Sequence, residues 1–303
     1  LSGTQQILDD LTQYRDSIQF MWDQTVRGIN KGLTLSEITE LVQLPQKYEN
    51  RYFTQQFYGL VEHHVRQIHN GLRGWFDGNE SALFPLPASK RAEKLVDGFG
   101  GKEKVREEIT KALEEDDLRW ALELATWLIQ QEINKNGRSN GGEIEDRNRL
   151  ASILRKIGQR TTSTNVRNWC LTRALELEGE LDIDRFRTHR FSERQVLNQP
   201  TKAFVHALRL LLEPELSSEL DIRIGWRFDD ESTAGLHLRN GVAVPTDGEG
   251  SEATLVIKIN DWARMLGGKT TLKELLEHQN AEIEGNYKAF IEAISCFDNP
   301  SLR

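Results

Sequence analysis

Apolar positions recur with helical spacing through the first 180 or so residues and alternate in much of the remainder. Ile7, Leu8, Leu11, Tyr14, Ile18, Met21, Trp22, Thr25, Val26 and Ile29 keep the helical period over six turns, and Asn30-Lys31-Gly32 supplies a stop. Thr34 with Glu37 forms a capping box for a short helix that ends before Pro45. The pattern predicts further helices over 50–70, 89–98, 102–115, 117–135, 143–158 and 163–179. The stretch 136–142, NGRSNGG, reads as a flexible polar connection. The helices from 117 to 179 look like an array of helical hairpins, compatible with tetratricopeptide-like packing but without a repeat of fixed period.

The texture changes after Gly179. A polar segment, 180–200, leads into an apolar helix over 201–212. Alternation in 221–228, 235–239 and 254–259, separated by Asp/Gly-rich turn chemistry, predicts antiparallel strands. Helices at 261–266 and 271–278, a short strand at 281–284 and a last helix at 287–294 complete the chain. The predicted fold class is therefore α+β in two domains: an all-α helical-hairpin domain over 1–185, then a small α+β domain over 186–303 with helices on one face of its strands.

Composition narrows the function classes. The 303 residues suffice for two domains, and 38% hydrophobic with 28% charged residues suits globular cores. A net charge of −8 argues against nucleic acid as a partner. Arg147, Arg149, Arg155, Lys156 and Arg160 cluster but are interleaved with acids, which is the pattern of a solvated helix face. Cys170 and Cys296 lie far apart and suggest neither a disulfide framework nor a metal knuckle. No apolar run approaches the ~20 residues of a membrane span, and no signal peptide is visible. The start at Leu1-Ser2-Gly3, without methionine, suggests either processing or a boundary imposed on the sequence, and either could have removed targeting information, so the compartment stays open.

Candidate chemistry concentrates between Tyr58 and Pro87, where an amphipathic helix runs into Gly-Trp-Phe-Asp-Gly-Asn and a proline-punctuated loop. Gly74 and Gly78 bracket that loop and imply backbone conformations that disfavour a Cβ. Asp77 reads equally as a hydrogen-bonding anchor or a site residue; Trp75 and Phe76 suit an apolar channel wall, although core packing is the commoner fate of such aromatics. Of seven histidines only His63, His64 and His69 are close together. On a helix the first two point ~100° apart and the third lies further on, so a structural or solvent-facing role is preferred to a shared metal. No His-x-His-x-Asp-His cluster, nucleophile elbow or phosphate loop is present.

The segment Tyr58-Gly59…Gly74-Trp75-Phe76-Asp77-Gly78-Asn79…Pro85-Leu86-Pro87 resembles a motif of the alkylsulfatases, metallo-β-lactamase-type enzymes that cleave long-chain alkyl sulfate esters. Tyr14-Arg15-Asp16, Asp23-Gln24-Thr25-Val26-Arg27, Glu37-Ile38 through Leu44-Pro45, Gly100-Gly101, Asp117–Ala125 and Arg167–Leu177 are similar to that family's helical dimerisation domain, in order. Leu236–Val242, Ala253–Leu255, Gly267–Leu275 and Ala281–Asn286 resemble its last domain, which is similar to sterol carrier proteins. Trp22, Glu62, His64 and Glu80 depart from the family pattern.

The resemblance implies the dimerisation and alkyl-chain-binding portion of a zinc hydrolase, acting as a homodimer on an alkyl sulfate or another long-chain apolar ligand. Tyr58, His63, Trp75, Asp77 and Asn79 are then expected near the substrate. Trp226, Phe228, Leu236, Leu238, Trp262 and Leu266 would form an apolar groove for the tail, although residue chemistry alone favours core for most of them. It also implies two zinc ions held by a metal-binding domain that this sequence does not include; no cofactor, metal ligand or catalytic residue is expected in this chain, which is expected to be inactive by itself. The alternative is a non-catalytic lipid-binding or protein-interaction module, with Leu208, Leu210, Leu211 and Leu212 as core helix or cavity lid.

Overall fold

The computed structural model describes residues 3–48, 51–131, 141–183 and 191–302. It divides into two compact units, Leu1–Ile183 and Asp184–Arg303. The described part of the first is helical: α1 (Thr4–Asn30), α2 (Leu35–Leu41), α3 (Val61–Arg73), α4 (Ala88–Gly98), α5 (Lys102–Glu114), α6 (Leu118–Gln130), α7 (Ile144–Arg160) and α8 (Thr164–Leu177), with short 3-10 turns between. The expected 136–142 connection falls mostly, and His189 wholly, outside the described residues.

Local chemistry sets these boundaries. The Thr34 hydroxyl accepts from the Glu37 N–H while the Glu37 carboxylate accepts from the Thr34 N–H, so both donors at the start of α2 are satisfied. Asp117 and Ser163 cap α6 and α8 by their side chains alone, which accept from the N–H groups of Trp120 and Val166. One expectation fails: no helix begins near residue 50. Residues 52–54 form a 3-10 turn and α3 starts only at Val61. The reason is tertiary. Carbonyls of Gln56, Phe57 and Tyr58 accept from Thr162 Oγ1 (3.1 Å), Thr164 N (2.7 Å) and Ser163 Oγ (2.8 Å), which draws this strip out along the α7–α8 turn.

A core of Val105, Ile109, Leu124, Leu128, Ile153 and Leu154 joins α5 to α8. Ile38, Val42, Val61 and Val65 make a smaller one beneath α1. Between α5 and α7 lies a buried ion pair. Asp146, 1% exposed, accepts from Arg106 through Nε at 2.9 Å and Nη2 at 2.6 Å. Glu143 and Glu103 add further acceptors, so the guanidinium is held charged well above its ordinary range.

In the second unit α9 (Glu193–Leu197), α10 (Thr201–Ala207), α11 (Pro214–Ser217), α12 (Ile259–Leu266), α13 (Leu272–Glu277) and α14 (Tyr287–Ser295) accompany a five-stranded sheet. Its strands are β1 (Asp221–Phe228), β2 (Thr233–Arg239), β3 (Val242–Thr246), β4 (Ala253–Ile257) and β5 (Ala281–Gly285), in the order β3-β2-β1-β4-β5. The expected all-antiparallel arrangement is corrected: β1 and β4 run parallel, Ile224 opposite Ala253 through Phe228 opposite Ile257. Register puts Ile224, Trp226, Phe228, Leu236, Leu238, Leu255 and Ile257 on one face, where the helices bury them. β5 ends at Gly285, whose φ of +87° and 2.4 Å approach of an added Cβ to the Glu252 carbonyl make glycine obligatory.

Removing Arg106 leaves Asp146 buried without its main cation. Arg106→Met is expected to lower unfolding stability by about 3 kcal/mol, read as a fall in the urea midpoint. Arg106→Met with Asp146→Leu should recover most of it. An unchanged midpoint in the single variant would rule this account out.

Candidate functional site

Two concave regions of the helical unit receive the residues singled out above. The first is an aromatic groove of about 550 Å³ between α1 and the drawn-out 52–59 strip, lined by Tyr14, Ile18, Met21, Phe53, Phe57, Tyr58 and His64 among others. Fixing the 56–58 carbonyls on the α7–α8 turn is what turns Phe57 and Tyr58 outward. Gly59 lets the His64 ring lie close to the backbone, since a Cβ there would come 2.6 Å from its Nε2 and the exposed ring would have to turn away. The lining holds no Lys, Arg, Asp or Glu.

The second is a smaller, more polar hollow of about 220 Å³ where Ile29, Thr34, His69, Arg73, Phe76 and Asp77 converge. His69 is buried and its Nδ1 has no hydrogen-bond partner among the described residues. The loop above it is self-bonded: the Asp77 carboxylate accepts from the Asn79 N–H at 3.0 Å, and the Asn79 side chain accepts from Ser81 N–H at 3.0 Å.

The expected substrate-proximal residues therefore divide. Tyr58, 75% exposed, lines the aromatic groove, and His63 is exposed on α3 beside Glu62 at 3.9 Å. Asp77 lines the polar hollow, while Trp75, 72% exposed, touches Phe76 at 5.5 Å between ring centres and Asn79 faces solvent. His64 and His69, rather than His63, are the histidines that line cavities. The i, i+4 spacing of Val61, Val65 and His69 was the available signal, since it sets His69 on the apolar stripe of α3.

The six proposed groove residues are placed otherwise. Trp226, Phe228, Leu236, Leu238, Trp262 and Leu266 are all buried in one contiguous core, with Trp226 and Phe228 both edge-on to Trp262 at 6.0 Å. Facing strands and α12 fill the space between them, so the groove assignment is corrected. The apolar cleft of this unit lies instead between α13 and α14, about 480 Å³, lined by Leu272, Leu276, Tyr287, Ile291, Ile294 and Leu302 with Lys273 and Glu277. Leu208 and Leu211 are buried on a 3-10 turn, and Leu210 is exposed.

Among the described residues no three His, Cys, Asp or Glu side chains come together as a group that could hold a metal ion. No described helix is long and apolar enough to cross a membrane.

Residues 34–180 match the family described as alkyl sulfatase dimerisation, and residues 191–303 match alkyl sulfatase C-terminal. A linear primary-alkylsulfatase of Pseudomonas sp. (strain ATCC 19151) is 30% identical over 98% of this chain and 57% of its own length. An alkyl/aryl-sulfatase of Saccharomyces cerevisiae is 26% identical over 98% of this chain and 45% of its own. The structure of the sec-alkylsulfatase Pisa1 from Pseudomonas sp. superposes with a TM-score of 0.76 at 22% identity, covering 94% of this chain and 44% of that one. This chain thus spans about half the length of the curated relatives it matches.

Beside the aromatic groove, Arg119 of α6 donates to Glu62 of α3 at 2.6 Å and holds that carboxyl below its usual range. A depressed carboxyl pKa contributes stability that is fully present above the unfolded value of ~4.3 and is lost as pH falls through the lower folded value. Glu62→Gln should therefore be less stable than the parent at pH 7, by about 0.5 kcal/mol because Arg119 is exposed. Thermal unfolding should show that gap closing below about pH 4; a gap that does not vary with pH would contradict the assignment.

Proposed function

We propose that this chain, which belongs to the alkyl sulfatase family, is the dimerisation and alkyl-chain-binding portion of an alkylsulfatase-type zinc hydrolase. On this reading the complete enzyme is a homodimer that hydrolyses sulfuric esters of long-chain alcohols. The two zinc ions of that enzyme would activate water and neutralise the departing sulfate. Among the described residues no three His, Cys, Asp or Glu side chains come together as a group to hold them, and no catalytic step is assigned to any residue here. The helical unit would supply dimer surface and walls of the substrate path, with Tyr58, His63, Trp75, Asp77 and Asn79 nearest to it. The second unit, on this reading sterol-carrier-like, would hold the tail.

The observation that supports a tail site is the cleft between α13 and α14. Its volume of about 480 Å³ falls within the range of small-molecule sites, ~300–1,000 Å³. Leu272, Leu276, Ile291, Ile294 and Leu302 supply apolar wall, and at the rim exposed Lys273 lies 3.9 Å from Glu277, a pair whose lysine would turn to an anionic head group. Each methylene that leaves water there contributes ~0.8 kcal/mol, about fourfold in affinity at 25 °C.

Titration calorimetry with alkyl sulfates below their micelle concentrations tests this. Affinity should rise about fourfold per added methylene, and Ile291→Trp, which fills the cleft from a half-buried position, should weaken binding at least tenfold. Equal affinity in parent and Ile291→Trp, or none in the parent, would remove the tail-binding part of the reading.

A further inference from the structure

Buried polar atoms in folded proteins are as a rule paired. His69 breaks the rule. It is 4% exposed on α3, and its Nδ1 is sealed from solvent with no hydrogen-bond partner among the described residues. Val61 and Val65, earlier on the same stripe of α3, pack into the small core beneath α1, whereas His69 lines the polar hollow. The uncharged imidazole carries one proton, on Nδ1 or on Nε2. Buried donors go unpaired more rarely than buried acceptors, so a sealed Nδ1 without a partner is the bare nitrogen and Nε2 carries the proton. The ring then presents an N–H donor to the hollow that it lines.

The remaining polar groups of the wall are committed or solvated. The Thr34 hydroxyl donates to Glu37 Oε2 at 2.8 Å and accepts from the Glu37 N–H at 3.3 Å. Asp77 Oδ1 accepts from the Asn79 N–H at 3.0 Å, and no described residue bonds its Oδ2. Arg73, one turn beyond His69 on α3, is exposed to solvent. What the wall offers a ligand is therefore one donor, His69 Nε2–H, and one acceptor, Asp77 Oδ2, with the charges of Arg73 and Asp77 opposed. Ile29, Leu33 and Phe76, all half-buried, make the rest of it apolar.

This chemistry selects the occupant. A carboxylate or sulfate would face Asp77, an ammonium would face Arg73, and either would leave water for a hollow whose own charges cancel. A hydroxyl both accepts and donates, which meets the donor and the acceptor together. The volume of about 220 Å³ exceeds the ~30 Å³ share of one water and the ~150 Å³ that suffices for benzene. A single water would also leave the apolar side of the wall without a contact.

We propose that the hollow binds a small uncharged alcohol of about the size of phenol. Its hydroxyl accepts from His69 Nε2–H and donates to the Asp77 carboxylate, and its apolar body lies on Ile29, Leu33 and Phe76. Asp77 is shared with the substrate path proposed above, but the alcohol site rests on the hollow alone and holds whether or not the complete enzyme is a sulfatase.

The test is titration of the full chain with phenol, benzene and benzoate, followed through the histidine ring signals by nuclear magnetic resonance. His69→Phe, which keeps an apolar ring on the α3 stripe, identifies the His69 signal by its loss. In the parent, phenol should move that signal and bind about fivefold tighter than benzene, the worth of one net hydrogen bond, with benzoate weaker than phenol. In His69→Phe the advantage of phenol over benzene should disappear. Asp77→Asn, which keeps the shape of the side chain and removes its charge, should raise the affinity for benzoate. Equal affinity of the parent for phenol and benzene, binding of phenol that leaves the His69 signal in place, or no binding at all would overturn the site. Benzoate bound more tightly than phenol by the parent would overturn the uncharged class of ligand.

Discussion

The helical unit depends on three hydrogen bonds that span more than 100 residues of sequence. Thr162, Ser163 and Thr164 hold the carbonyls of Gln56, Phe57 and Tyr58 and so fix an aromatic strip on a turn between two late helices. Without that tie the strip would be free to continue α3 backwards, as its residue pattern suggests. With it, the backbone is extended up to Leu60, α3 begins late, and Tyr52, Phe57 and Tyr58 project outward in place of joining the core. The groove and the exposure of Tyr58 both follow from the one constraint.

The C-terminal unit is organised differently. Its register places Ile222, Ile224, Trp226, Phe228, Leu236, Leu238, Leu255 and Ile257 on one face, and all of them but half-buried Ile222 are buried there. The opposite face carries charge, with Arg227 on β1 paired to Glu284 on β5. The apolar cleft described above lies accordingly between two helices, α13 and α14. The two units thus meet the need for apolar surface in opposite ways: one leaves aromatic side chains outside, the other hides two tryptophans and a phenylalanine at its centre.

Much of this was legible from residue pattern. The period of α1, the capping box at Thr34, the strands at 221–228 and 281–285 and the final helix emerge from spacing and capping chemistry that act locally. β3 was missed although Asn240-Gly241, both at positive φ, is the two-residue turn that hairpins favour; Pro245 and the brevity of the strand masked it. The parallel pairing of β1 with β4 has no local signature, because it is decided by the hairpin inserted between them. The groove residues failed for a related reason: alternation marks which side chains face inward, and it carries no information on whether helices then seal that face. His69 illustrates the limit from the other side, since its place on the apolar stripe was readable but the hollow beside it is made by a loop eight residues later.

The distribution of indoles has an optical consequence. Of the seven tryptophans, Trp22, Trp75 and Trp169 are exposed and Trp120 and Trp127 half-buried in the helical unit, whereas Trp226 and Trp262 are fully buried in the other. Emission from the C-terminal unit is therefore that of indole in an apolar medium, and the helical unit contributes a component already at the wavelength of hydrated indole. Each unit carries its own intrinsic colour, and the blue part of the native spectrum belongs chiefly to the sheet that holds Trp226 against Trp262.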